Sequence, residues 1–165
     1  MSKKVLAVYF TQSGQLEQIV NNLTEPLTHS GDITVEKVQV DTVKKFPFPW
    51  TSPTFFDAMP ESVDGVPAEL APFSFNETRY DLIIFAYQPW FLSPSIPMSS
   101  LAQHPAFTAI AKDTPVVTIS GCRNMWINAQ EKLKRHFKNA GAQLKGNIAL
   151  VDKHNNYASL ITIFY

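Results

Sequence analysis

A chain of 165 residues that is 45% hydrophobic and 17% charged is long enough to bury a substantial core, and the length suits one globular domain, residues 1–165. Lys+Arg and Asp+Glu stand at 14 each, so no overall field attracts a polyanion, which argues against nucleic acid as a partner. No apolar run approaches the roughly 18–20 residues of a membrane-spanning helix, the opening "MSKK" leads into a strand pattern instead of a signal-peptide core, and the single cysteine, Cys122, excludes a disulfide within the chain and fits a reducing, cytoplasmic setting.

In chain order, "KVLAVYF" (4–10) is a continuous apolar run of the buried-strand type. Residues 16–27 then carry Leu16, Ile19, Val20, Leu23 and Leu27 at helical spacing. Pro26 interrupts that pattern, and its missing N–H predicts a kink or an end near Leu23. "DITVEKVQV" (32–40) alternates with period two, as a strand with one wetter face does. Residues 41–79, where prolines and phenylalanines cluster in "FPFPWTSPTFFDAMPESVDGVPAELAPFSF", replace a regular second helix, and the aromatics predict a segment packed onto the body instead of a flexible linker.

"YDLIIFAY" (80–87) and "TPVVTIS" (114–120) are two further buried-strand runs. Trp126, Ala129, Leu133, Phe137 and Ala140 form a helical stripe closed by Gly141 at the cap position, and "LKGNIALV" (144–151) is the last strand. Buried strands interleaved with amphipathic helices imply an α/β fold: a doubly wound, five-stranded parallel sheet of order 2-1-3-4-5 with a Pro/Phe-rich insertion between strands 2 and 3. The chain finishes on "KHNNYASLITIFY", an apolar, β-branched run where such a sheet usually has a helix. Either an extra strand or truncation of a longer protein accounts for that ending.

That winding locates a site. Ligands bind beyond the carboxyl ends of the strands where the winding reverses, between strands 1 and 3. The loops there are "TQSGQ" (11–15), which is hydroxyl-rich and feeds a helix N-terminus, "QPWFLSPS" (88–95), with aromatics between prolines, and "GCRNMW" (121–126), with a cation and an indole. An anion suits the first, because a helix N-terminus offers unpaired N–H groups and the positive end of the helix dipole. Together the three suit a molecule with a phosphate at one end and a flat ring at the other.

These residues resemble the flavodoxins and flavodoxin-like oxidoreductases. "VYFTQSGQ" is similar to their phosphate turn, and "YDLIIFAYQPWFLSPSIP" to the strand and ring-binding loop that follow. More narrowly, "FPFPW", "YQPWFLSPS" and "CRNMW" resemble the flavodoxin-fold dialkylresorcinol condensing enzymes found beside aryl-polyene and flexirubin-type pigment genes. The resemblance implies FMN as cofactor. It places Thr11, Ser13, Gly14 and Gln15 at the phosphate, Gln88, Pro89, Trp90 and Phe91 at one side of the ring, and Gly121, Cys122, Arg123 and Asn124 at the other. Leu16 departs from the family, which usually has a hydroxyl there. Arg123, turned inward, would stabilise negative charge on the reduced ring. The implied substrate is a hydrophobic polyketide or a quinone, and the related quinone reductases make a homodimer plausible. The sequence names no catalytic base.

Plainer readings stand beside these. "TQSGQ" also reads as an ordinary capped corner, Trp126 as core, and Lys132, Lys134, Arg135 and Lys138 as the solvated side of a helix. Cys122 beside Arg123 at a helix N-terminus is where a thiol pKa falls, yet a phosphatase needs Cys-x5-Arg and Asn128 stands six residues on. The histidines, His29, His104, His136 and His154, show no metal-ligand spacing. The P-loop, the G-x-G-x-x-G fingerprint and the G-x-S-x-G elbow are all missing. Three functions remain open: an FMN oxidoreductase acting on a pigment precursor, an NAD(P)H-dependent quinone or FMN reductase, and a scaffold of the same fold without cofactor.

Overall fold

A computed structural model describes residues 1–123 and 125–153. In chain order its elements are β1 (Lys3–Tyr9), α1 (Gln15–His29), β2 (Ile33–Gln39), α2 (Ser52–Asp57), α3 (Met59–Asp64), β3 (Leu82–Tyr87), β4 (Pro89–Trp90), β5 (Ser93–Pro94), α4 (Ile96–Gln103), α5 (Pro105–Ala111), β6 (Pro115–Cys122), α6 (Ile127–Ala140) and β7 (Gln143–Val151). Five strands form one parallel sheet in the order β2-β1-β3-β6-β7, which is the 2-1-3-4-5 winding the sequence implies, and β4 and β5 form a separate antiparallel hairpin.

The continuous apolar runs follow from burial on both faces. Val5, Ala7, Tyr9, Ile84, Ala86 and Ile119 meet Leu16 and Val20 of α1. The alternate residues Leu6, Val8, Ile83, Phe85 and Val116 meet α4, α5 and α6 on the opposite face. There Phe85 is edge-on to Phe107 and Phe137, with ring centroids 5.5 and 5.1 Å away, an arrangement that adds about 0.5–1.5 kcal/mol per pair beyond area burial. The α6 stripe matches its reading at Ala129, Leu133 and Phe137, and Gly141 closes the helix at φ 74°. Trp126 differs: it is the half-buried residue before the helix, not part of the core stripe.

Two further readings need correction. α1 runs through Pro26 to His29. Pro26 removes the N–H that would bond the Asn22 carbonyl, and both residues are exposed near the helix end, where the loss of that bond to solvent costs little. Leu23 is exposed, and Thr24 takes the buried position, its hydroxyl donating to the Val20 carbonyl at 2.7 Å. Helices α4 and α5 have no counterpart in the sequence reading: Ile96 to Ala102 are all buried, so α4 shows no solvated face, and α5 is only seven residues long, too short to establish a helical period.

The insertion completes the burial of α4, which the sheet, α5 and α6 cover from the other sides. It packs as expected and also holds α2 and α3, the first opened by a reciprocal Thr51–Thr54 capping box. Ala68 N–H donates to Ser100 Oγ at 2.9 Å, fastening the insertion to α4. At its far end the Tyr80 hydroxyl donates to Glu36 on β2, and the amides of Asn76 and Glu77 bond Glu36 and Tyr80. The expectations for the chain end and for His154 fall on 154–165, outside the described residues, as does Asn124.

Candidate functional site

Strand register brings the loops together. Tyr9 lies opposite Ala86, and Ala86 opposite Ile119, so β1, β3 and β6 end side by side. Past their ends, Phe10 and Trp90 meet edge to face at 5.9 Å. A Cβ on Gly121 would lie 3.5 Å from Leu16 Cδ1 and 3.7 Å from Ile19 Cδ1, which places the carboxyl end of β6 against the start of α1.

The first bend is built around Gly14, whose left-handed φ of 83° lets the chain turn from β1 into α1. Thr11 Oγ1 accepts from Gly14 N–H at 3.0 Å and fixes the bend, and Ser13 Oγ lies 3.4 Å from Gln15 N. The first intrahelical bond is Gln18 N–H to Gly14 O, 3.1 Å, so the amides of Gln15, Leu16 and Glu17 have no partner within the helix. Ser13 and Gln15 are exposed and the bend is open to solvent. Glu17, the one carboxylate of the first turn, faces the Tyr9 hydroxyl at 3.5 Å. Leu16 is fully buried in the α1-side core: its side chain points into the protein, and the bend keeps its amide donors without a hydroxyl at that position.

The second loop is a hairpin whose two turn residues, Phe91 and Leu92, have φ of 50° and 63°. Left-handed backbone at two bulky residues is a costly way to make such a turn. It arranges the aromatics. Trp90 is held edge-on by Phe10, Phe46 and Trp50, the latter two centroids 5.2 and 5.3 Å away, and Phe91 lies 4.5 Å from Phe55. Trp50 in turn donates Nε1–H to Gln12 Oε1 at 3.1 Å. Residues 46–55 thus form an aromatic lid seated on Trp90 and tied to the first bend. The part played by Trp50, Phe46 and Gln12 was missed in the sequence, where "FPFPW" signalled packing but not its partner. Gln88 and Pro89 are half-buried at the root of the hairpin, where Gln88 O accepts from Ser95 N–H at 2.8 Å.

The third segment differs from its reading as a loop: Gly121 and Cys122 are the last residues of β6, paired with Leu150 and Val151 of β7, and Arg123 follows them, all three half-buried. Cys122 ends β6 and precedes the first residue of α6 by five positions, away from any helix N-terminus, and burial pushes its thiol above the ordinary range. The activated-thiol reading is therefore corrected. Beneath this segment the Tyr87 hydroxyl donates to Gln130 Oε1 at 2.8 Å, and burial raises its pKa well above the usual 10.0. Ser120 is fully buried near Tyr87 and Cys122, yet its hydroxyl makes no hydrogen bond of good geometry, and neither does that of buried Ser95. Among the described residues no cluster of His, Cys, Asp or Glu could hold a metal, and no helix is long and apolar enough to cross a membrane.

No family model and no curated protein matches the chain. Solved structures do match over nearly its whole length. A flavoprotein from Lactobacillus acidophilus, solved in complex with FMN, superposes with a TM-score of 0.67 at 16% identity, covering 90% of this chain and 93% of that one. A Bacteroides uniformis protein taken to be a flavoprotein gives 0.70 at 13%, covering 98% and 99%. The two-electron reduced flavodoxin of Megasphaera elsdenii gives 0.55 at 14%, covering 97% and 94%. At these identities the likeness is one of fold, and the fold is flavodoxin-like.

Proposed function

We propose that this chain is an FMN-binding flavoprotein whose first bend holds the phosphate of the cofactor. The observation that carries the reading is the open turn at Gly14: the first-turn amides of α1 and the exposed hydroxyl of Ser13 form a neutral donor set at the positive end of a 15-residue helix. A phosphate dianion is held well by such N–H and O–H groups without a lysine. The FMN complex of the Lactobacillus acidophilus flavoprotein, on the same fold, supports it.

In this reading Thr11 and Gly14 shape the bend, Ser13 and Gln15 meet the phosphate, and the segments at Gln88–Phe91 and Gly121–Arg123 flank the ring. Phe10, Phe46 and Trp50 already pack around Trp90, so the ring gains its place by displacing part of the aromatic lid. The lid then keeps water from the reacting centre. Bound FMN supplies a two-electron acceptor or donor.

For the reaction we propose oxidation of a hydrophobic cyclohexanedione-type polyketide to a resorcinol, with the flavin taking up the two hydrogens removed. What supports this finer reading is the resemblance of "FPFPW" and "YQPWFLSPS" to the dialkylresorcinol enzymes and the apolar character of the lid. An NAD(P)H-dependent quinone reductase would use the same site. The packed aromatic cluster favours a second reading, a flavodoxin-fold partner protein that takes no cofactor.

Purified protein separates these. A yellow protein, or one that turns yellow with added FMN and loses that affinity on Ser13→Leu, supports the cofactor reading. A protein that ignores FMN at tens of micromolar leaves the partner reading. Bleaching of the bound flavin by a dione under anaerobic conditions, but not by NADPH, supports the dehydrogenase, and the reverse supports the reductase.

A further inference from the structure

The chain is neutral overall, but its charge is divided. Residues 1–100 hold six Lys/Arg against eleven Asp/Glu, and residues 101–165 hold eight against three. The fold gathers part of that excess around a hollow of about 480 Å³ at the C-terminal end of α6, rimmed by Lys134, Arg135 and Lys138 and floored by half-buried Ala142 and Leu144, with Phe137 buried beneath them. The sequence shows only the helical cations. The structure adds one more: Lys112, whose Cγ lies 3.5 Å from where a Cβ on Gly141 would stand. Of the rim cations, Lys134 pairs with Glu131 at 3.5 Å across an exposed surface, a weak bond.

We propose that this hollow docks an acidic protein segment that inserts one apolar side chain. Three cations of α6 rim a concave apolar floor and Lys112 stands beside Gly141 at its edge, so the complementary ligand carries several carboxylates around a single hydrophobic anchor. The floor belongs to the main core and lies recessed between the cations. A lipid surface would need apolar groups that protrude. Single-stranded nucleic acid would need exposed rings to stack on, and the rim has none: Phe137 is fully buried. The hollow lies on α6 and β7, apart from the first bend, so the proposal does not depend on flavin binding.

The test is titration of a short peptide, glutamates flanking one leucine, into ¹⁵N-labelled protein at low salt. The expected result is amide shifts centred on residues 134–145, with affinity falling at least about tenfold for Lys134→Glu with Lys138→Glu, and likewise on raising salt to about 0.3 M. Replacing the leucine of the peptide by glycine is expected to weaken binding severalfold. All three variables act on exposed side chains or on the peptide, and unchanged amide spectra away from the hollow confirm the fold of the charge-reversed protein. Shifts scattered over the surface, indifference to charge reversal, or equal binding of the glycine peptide would overturn the proposal. So would tighter binding of oligo-dT or of anionic vesicles at the same residues.

Discussion

The indole N–H of Trp50 donates to Gln12 Oε1 at 3.1 Å, and this bond joins the aromatic lid to the bend between β1 and α1. Gln12 also reaches the Pro47 carbonyl at 3.5 Å. Gln12→Ala is therefore expected to lower stability by about 1 kcal/mol, the net worth of one such hydrogen bond, and to shift the Trp50 indole N–H resonance while those of Trp90 and Trp126 stay in place. An unmoved Trp50 resonance would show that the lid is held by ring packing alone.

Leu92 sits at the tip of the hairpin with φ 63° and is 41% exposed. Its side chain contributes little packing, whereas a left-handed backbone costs a non-glycine residue roughly 1–2 kcal/mol. Leu92→Gly is expected to raise the urea midpoint, by about 1 kcal/mol of stability after the greater flexibility of glycine in the unfolded chain is deducted. Phe91→Gly removes the contact with Phe55 and is expected to give no such gain. A drop in stability for Leu92→Gly would mean that the leucine packs in solution.

Gly14 and Gly121 make a matched pair for the site. A Cβ at Gly14 meets nothing within 4 Å, yet its φ of 83° strains any other residue; at Gly121 the backbone is unstrained and the added Cβ stands 3.5 Å from Leu16, an ordinary contact. Gly14→Ala is expected to cost about 1 kcal/mol and to weaken FMN binding by turning the first amides of α1. Gly121→Ala is expected to change stability little. Equal effects at both positions, by denaturant unfolding and FMN titration, would remove the special role of the bend.

Stability is expected to fall at both ends of the pH range for separate reasons. Burial, then the nearby charge of Arg135, hold His136 below its usual 6.5. The unfolded chain therefore takes up that proton first, and stability present above about 6.5 is lost as pH falls below it. His136→Gln should flatten that limb. Burial and the bond to Glu36 push Tyr80 up to about 12 from 10.0, so the folded state keeps a proton the unfolded state releases. The stability this group contributes is full below pH 10 and lost between 10 and about 12; Tyr80→Phe should shrink the alkaline limb in thermal melts, leaving the part that belongs to Tyr87 and Tyr9, whose hydroxyl pKa values burial also raises.

The sheet was legible because its central strands β1, β3 and β6 are buried on both faces and read as apolar runs, and edge strand β2 because it alternates; α6 was legible because Leu133 and Phe137 repeat at helical spacing over a solvated face. The same rule hid α4. A helix covered on all sides has no polar face, and part of what covers it, the insertion around Ala68, lies some thirty residues away in the chain. In the site, the bend at Gly14 showed itself as small polar residues between strand and helix. The packing of Trp50 on Trp90 joins residues forty positions apart, and periodicity carries no trace of such a contact. Leu16 read as a lost hydroxyl, and its burial shows it to be core.

Parallel titration with FMN and with riboflavin, which has the same ring and no phosphate, tests the role of the first bend most directly. Fluorescence quenching is expected to show micromolar or tighter binding of FMN and binding of riboflavin at least about a hundredfold weaker, a difference near 2.7 kcal/mol. Equal affinity for the two, or no binding of either at tens of micromolar, would contradict it.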